Sequence, residues 1–297
     1  MGSEDVVARA ADLHRQRVPF VHARVVLAER PTSAKPGDEA LILPDGTIEG
    51  FVGGDCAEST VRAQSLVLLD SGESLLLRIS PVLEPAQPGM LTVHNPCLSG
   101  GTLEIFLEPV QPAPYVAVVG DTPVARALLA LGGPLGYEVV RYAAPLPPDA
   151  VALVIASHGR DETEPMVAAL RADVPYVGLV ASRKRGEAVI GSLDVCGSMK
   201  ARVVTPAGLD IGAQTPPEIA MSILADIVAR RPRPSGRPVG SDAPASGLAT
   251  GLDPVCGMTV AAIESSLHLD HDGARYWFCG SGCLRAYAND PTSYQTG

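Results

Sequence analysis

Cysteine is the residue type whose placement in this chain most invites chemistry; six occur, at 56, 97, 196, 256, 279 and 283. The run Gly-Phe-Val-Gly-Gly-Asp-Cys-Ala-Glu over residues 50–58 ends a predicted strand and opens a predicted helix. Gly53 and Gly54 let the backbone adopt positive φ and bring bare amides close to a ligand, forming a nest for an anion. Cys56 then sits at a helix N-terminus with Asp55 and Glu58, where the dipole favours the thiolate as a nucleophile or soft-metal ligand. A tight turn around a buried cysteine is the alternative reading. A second turn, Asn-Pro-Cys-Leu-Ser-Gly-Gly over residues 95–101, places Cys97 beside Gly100 and Gly101. The two loops either face one shared ligand or hold independent buried cysteines.

Three of the remaining cysteines fall near the C-terminus. Cys279 and Cys283 are four residues apart, with Cys256 upstream, giving three soft ligands for Zn, Cu or Fe. Tetrahedral zinc needs a fourth ligand, from Met258, His268 or His271, and free structural thiols are the alternative. Residues 251–297 are too few to hold a core readily without a metal or disulfide. Cys196 has no cysteine near it in sequence and is read as inert.

The elements that position these residues follow from periodicity. Helix is expected from a Ser3 cap, strands over 20–27 and 74–79, a hairpin over 41–52, a helix from 58 stopped by Gly72, and strands over 90–94 and 102–110. This makes a mixed α+β N-terminal domain of antiparallel character. After Gln-Pro-Ala-Pro at 111–114 the pattern becomes βα repeats: strands over 115–119, 138–142, 151–156 and 176–180, with helices over 122–131 and 163–172. That alternation predicts a doubly wound parallel sheet, so the chain as a whole is α/β. Thr215, Pro216 and Glu218 mark a final helix by a capping box. Residues 232–250, rich in Pro, Gly and Ser, read as a flexible linker.

Ligands of doubly wound sheets lie beyond the carboxyl ends of the strands. There His158 beside Asp161 offers an acid/base pair, and Arg183, Lys184 and Arg185 at a helix start offer a phosphate site. A capped turn and a solvated basic run are the plainer readings. The first turn, Gly-Asp-Thr-Pro-Val-Ala over 120–125, lacks the dinucleotide pattern, and Tyr142 stands where an acid would bind ribose, so NAD(P) is not favoured.

A net charge of −10 and a pI near 5.1 argue against a general nucleic-acid surface. The longest apolar run, 150–156, is too short to span a bilayer, and the N-terminal residues lack a basic and apolar leader. A cytoplasmic protein is expected, and in a reducing compartment clustered cysteines point to metal.

Five stretches carry a family resemblance: 50–58; Cys-Leu-Ser-Gly-Gly-Thr-Leu-Glu-Ile-Phe-Leu-Glu-Pro over 97–109; Ala-Ser-His-Gly-Arg-Asp over 156–161; Val-Gly-Leu-Val-Ala-Ser-Arg over 177–183; and 205–220, which ends in Gln-Thr-Pro-Pro-Glu-Ile-Ala. In this order they resemble the XdhC/CoxI family of molybdenum-hydroxylase maturation proteins, and residues 253–294 resemble a YHS module associated with metal handling. The resemblance implies an N-terminal domain over 1–110, a Rossmann-like domain over 115–231, the linker, and a YHS-like module over 251–297. It implies a chaperone rather than a turnover enzyme, one that binds molybdenum cofactor (molybdopterin type), protects it during sulfuration and delivers it to an apo molybdenum hydroxylase of the xanthine or carbon monoxide dehydrogenase kind.

On that basis Gly53, Gly54, Asp55, Cys56, Glu58, Cys97, Gly100, Gly101, His158 and Arg183 are the cofactor-binding candidates. Cys56 would contact the molybdenum or its sulfur, and Cys256, Cys279 and Cys283 would hold the module's metal. A cysteine desulfurase, a molybdopterin cytidylyltransferase and a second copy of the chain are further partners it admits. Many relatives carry a third glycine at the position of Asp55. Two other classes stay open: an NAD(P)-linked oxidoreductase, and a copper or zinc donor or sensor working through the tail.

Overall fold

The computed structural model describes residues 2–85, 87–95, 101–231 and 249–294. They divide into two compact units, Met1–Pro112 together with Pro234–Gly297, and Ala113–Arg233. The C-terminal segment expected to stand alone is therefore grouped with the N-terminal domain.

The first unit opens with α1 (Ser3–Arg15). Its N-cap is Gly2 rather than Ser3; the Gly2 N–H donates to the Asp5 carboxylate at 2.9 Å. The helix packs Val6 and Leu13 against Phe20 and Leu41. Then follow β1 (Phe20–Ala28), β2 (Glu39–Ile42), β3 (Ile48–Gly50), α2 (Asp55–Ser71), β4 (Leu75–Ser80), β5 (Met90–His94) and β6 (Leu103–Val110). They form a six-stranded sheet in the order β3-β2-β1-β6-β4-β5. Alternate residues of β1, namely Val21, Ala23 and Val25, join Val61 and Leu68 of α2 in the core, as a period of two requires. One pairing departs from the antiparallel expectation: β4 and β5 run parallel, Leu76 opposite Met90 and Ile79 opposite Val93. Glu84 pins their connection by accepting from Arg78 (2.9 Å) and the Ser80 hydroxyl (2.7 Å). Gly72 ends α2 in the left-handed conformation (φ 72°), as its position predicts.

The second unit contains β7 (Tyr115–Val119), α3 (Pro123–Gly132), β8 (Glu138–Arg141), β9 (Ala150–Ile155), α4 (Thr163–Arg171), β10 (Tyr176–Leu179), α5 (Arg183–Ser192), α6 (Gly197–Lys200), β11 (Val203–Val204) and α7 (Pro216–Arg230). All strand pairs are parallel, in the order β11-β10-β9-β7-β8. Counted within the unit this is 2-1-3-4-5, a doubly wound arrangement with its switch between β7 and β9. Both faces are covered: Leu153, Ile155 and Leu179 face α4 and α5, while Val116, Val118 and Val154 face α3 and α7. That is why these strands read as unbroken apolar runs. The capping box of α7 is present, with Glu218 accepting from the Thr215 N–H at 2.8 Å.

The C-terminal segment adds β12 (Thr250–Leu252), β13 (Thr259–Ala261), β14 (Leu267–His271), β15 (Ala274–Phe278) and α8 (Ser281–Asn289). Its core is aromatic: fully buried Tyr287 is ringed by Tyr276 (5.0 Å), Phe278 (5.4 Å) and Tyr294 (6.2 Å). It docks on the N-terminal domain at two turns. The Ser265 hydroxyl donates to the Asp45 carbonyl (2.7 Å), and the Ser281 N–H donates to the Asp55 carboxylate (3.0 Å). Among the described residues no helix is long and apolar enough to cross a membrane.

Candidate metal and cofactor-binding site

The glycine turn after β3 behaves as its residues require. Gly53 has φ +141°, and a Cβ there would meet Ala57 Cβ at 2.9 Å. Gly54 caps α2, so Asp55 and Cys56 occupy the helix's first turn and the helix start faces a cavity of about 980 Å³. Residues 30–33 and Gly54, Asp55 and Cys56 line one side. Ile79, Asn95, Gly101 and Leu103 contribute from the sheet, and Cys256, Met258 and residues 279–283 from the C-terminal segment. Gly101 is needed for close approach: a Cβ would stand 2.3 Å from the carbonyls of both Glu29 and Pro31. Cys97 and Gly100 lie outside the described residues.

The sulfurs meet at one end of this cavity. Cys279 Sγ lies 3.6 Å from Cys256, 3.7 Å from Cys283 and 3.8 Å from Cys56. Their thiols interact strongly: hydrogen bonding from Cys279 lowers the Cys256 thiol, and donation to Cys256 and Cys56 raises that of Cys279. Burial, with the charges of Asp253 and Cys256, pushes Cys283 up to about 12. Asp253, 1% exposed, completes a group with Cys256, Cys279 and Cys283 whose ligand atoms lie within 4.8 Å of one another. Its carboxylate also accepts the Val255 and Cys279 N–H groups, each at 2.8 Å, and so shapes the loop that presents the sulfurs.

Of the expected fourth ligands, the two histidines make contacts elsewhere. His268 Nδ1 is 2.8 Å from the Ser266 carbonyl with its ring 5.1 Å from Trp277, and His271 lies edge-on to Tyr287. Met258 packs into the apolar surround of the cluster. Asp55, the unexpected residue of the glycine turn, holds α8: the Ser281 side chain and N–H keep its carboxyl below the usual range, with burial opposing. Glu58 does not line the cavity; burial raises its carboxyl, the nearby Arg62 opposes this, and Asp55 adds to it.

His158 and Arg183 belong to the second unit. His158 and Asp161 are both exposed, with left-handed φ of 54° and 50°, and among the described residues no hydrogen bond joins them. The loop is instead organised by Glu162, which no motif flagged. It is 7% exposed and accepts from the Ser157 hydroxyl (2.9 Å), the Gly159 N–H (2.7 Å) and Arg185. Burial raises its carboxyl, but Arg185 and these donors outweigh that and hold it low. Arg185 is thereby taken from the basic run, leaving Arg183 and Lys184 exposed at the start of α5. At the β7 turn Asp121 pairs with Arg126 (3.2 Å) and Arg141 (2.7 Å), so the turn carries an acid where a pyrophosphate would need bare amides. Cys196, read as inert, is exposed at the start of α6, and a hydrogen bond from Ser198 with the Met199 N–H lowers its thiol.

Residues 13–80 match the XdhC and CoxI family, and residues 116–227 match the XdhC Rossmann domain. The chain is 27% identical over 255 residues to the uncharacterized protein YqeB of Escherichia coli (strain K12), a stretch that is 75% of this chain and 46% of YqeB. It thus spans about half the length of that relative. The crystal structure of a xanthine dehydrogenase from Bacillus halodurans aligns with 78% of this chain and 98% of its own, at 16% identity and a TM-score of 0.36.

Proposed function

Because residues 13–80 match the XdhC and CoxI family and residues 116–227 match the XdhC Rossmann domain, we propose that this chain is a maturation factor for a molybdenum hydroxylase of the xanthine or carbon monoxide dehydrogenase type. In this reading it binds the molybdenum cofactor in the Cys56 cavity, shields it and passes it to the apo-enzyme. One observation supports this above the others: a thiol, a glycine-capped helix start and small-residue walls meet in a single cavity of about 980 Å³.

The residues present fit such a group. The volume is at the upper end of the range for small-molecule sites, roughly 300–1,000 Å³. Molybdopterin is a dithiolene-bearing pterin with a phosphate; Arg30 on the wall suits the anion, since Asp55 already supplies a negative charge at the start of α2. Cys56 is the soft ligand for the metal end. When bound, the cofactor supplies the molybdenum centre on which the client's hydroxylation depends. The chain's own work is to bind and orient: α2 fixes Cys56, Gly101 lets residues 29–31 close the wall, and the C-terminal segment keeps water from the sulfur end. The β7 turn offers no matching support for an NAD(P)-linked oxidoreductase.

The test is elemental and pterin analysis of chain purified from molybdate-fed cells. Wild type should carry molybdenum and pterin in equal amounts, and Cys56→Ala should lose most of both. Retention by Cys56→Ala at the wild-type level would remove Cys56 from the reading.

A further inference from the structure

The sulfur cluster draws on two distant parts of the chain, since Cys56 and Cys279 are 223 residues apart in sequence. In a tetrahedral site with metal–sulfur bonds of about 2.3 Å, neighbouring sulfurs stand about 3.8 Å apart. Cys279 stands at that spacing from three sulfurs, 3.6 Å from Cys256, 3.7 Å from Cys283 and 3.8 Å from Cys56. Three sulfurs come from the C-terminal segment, so the question is which group takes the fourth place. Asp253 is near enough, and its two oxygens also hold backbone N–H groups of the loop, but a thiophilic ion prefers a thiolate to a carboxylate oxygen. The two histidines of the segment are turned to Ser266 and Tyr287. Cys56 is held toward the cluster by α2, and Asp55 beside it binds the start of α8.

We propose that Cys56 is the fourth sulfur ligand of a metal site shared between α2 and the C-terminal segment, taking a thiophilic tetrahedral ion of the Zn(II) class. Binding replaces the cluster's thiol protons, which leave to solvent, with four metal–sulfur bonds. The ion then ties the segment to the rim of the cavity. Resting on the cofactor reading, a further consequence is that metal and cofactor compete for one thiol.

The test uses reduced, metal-free full-length chain and Co(II) as the probe. Wild type should bind one Co(II) per chain with tetrahedral bands and a thiolate charge-transfer band of four-sulfur intensity. Cys56→Ser should lose about a quarter of that intensity and bind at least about tenfold more weakly. Cys196→Ser should match wild type, and unchanged circular dichroism of Cys56→Ser would show that it folds. A Cys56→Ser spectrum and affinity equal to wild type would overturn the assignment, as would an Asp253→Asn variant that alters the spectrum while Cys56→Ser does not. No arm involves molybdenum cofactor, so failure here is distinct from failure of the maturation reading.

Discussion

At Asp55 one carboxylate serves the starts of two helices: it is the first residue of α2 and accepts the Ser281 N–H that begins α8. Both helix dipoles favour an anion there. Because Asp55 is exposed, Asp55→Ala should cost only about 0.5–1 kcal/mol in urea unfolding. Its clearer effect should be faster proteolysis of the C-terminal segment; an unchanged cleavage rate would show that docking does not depend on this contact. Glu162 is the matching case in the second unit. Its folded carboxyl lies below the unfolded value of about 4.3, so its contribution is full above that value and lost as pH falls through the folded one. Glu162→Gln should therefore flatten the acid limb of the stability–pH curve, and Glu162→Ala should lose about 2–3 kcal/mol at pH 7 by orphaning Arg185 and the loop donors. A variant with the wild-type acid limb would refute this role.

The elements explain what the sequence could disclose. Strands β7, β9 and β10 are unbroken apolar runs because both faces are covered, and α7 carries its capping box in plain residues, so the doubly wound unit is legible from periodicity and caps. The parallel pairing of β4 with β5 is not, because periodicity gives a strand's faces but not its neighbour's direction. Two-residue β11 is too short to leave a pattern. The glycine turn before α2 was legible because Gly53, Gly54 and the helix start are contiguous. Glu162 was not, since an acid in a polar loop looks alike whether it is solvated or bonded to three partners. Gly101 tests the cavity wall at this scale. Gly101→Ala pushes a methyl against two carbonyls, and about 1–3 kcal/mol of lost stability is expected from denaturant unfolding. A loss under about 0.3 kcal/mol would show that residues 29–31 can move aside.

On the scale of the whole molecule, the chain joins a stretch matching the XdhC and CoxI family and a stretch matching the XdhC Rossmann domain to a cysteine-bearing segment grouped with the first of them. The meeting of Cys56 with Cys279 could not be read from spacing, because a metal-type spacing is a local signal and this contact is long-range. Sequence alone looked for the fourth ligand inside the segment; the fold also brings the Cys56 sulfur of α2 to 3.8 Å from Cys279. The central claim is delivery of cofactor to a client, and the most direct measurement is activation of apo-xanthine dehydrogenase by chain loaded with molybdenum cofactor. Loaded wild-type chain should restore hydroxylase activity faster than free cofactor, and Cys56→Ala treated identically should not. Activation at the free-cofactor rate, with or without the chain, would contradict the account.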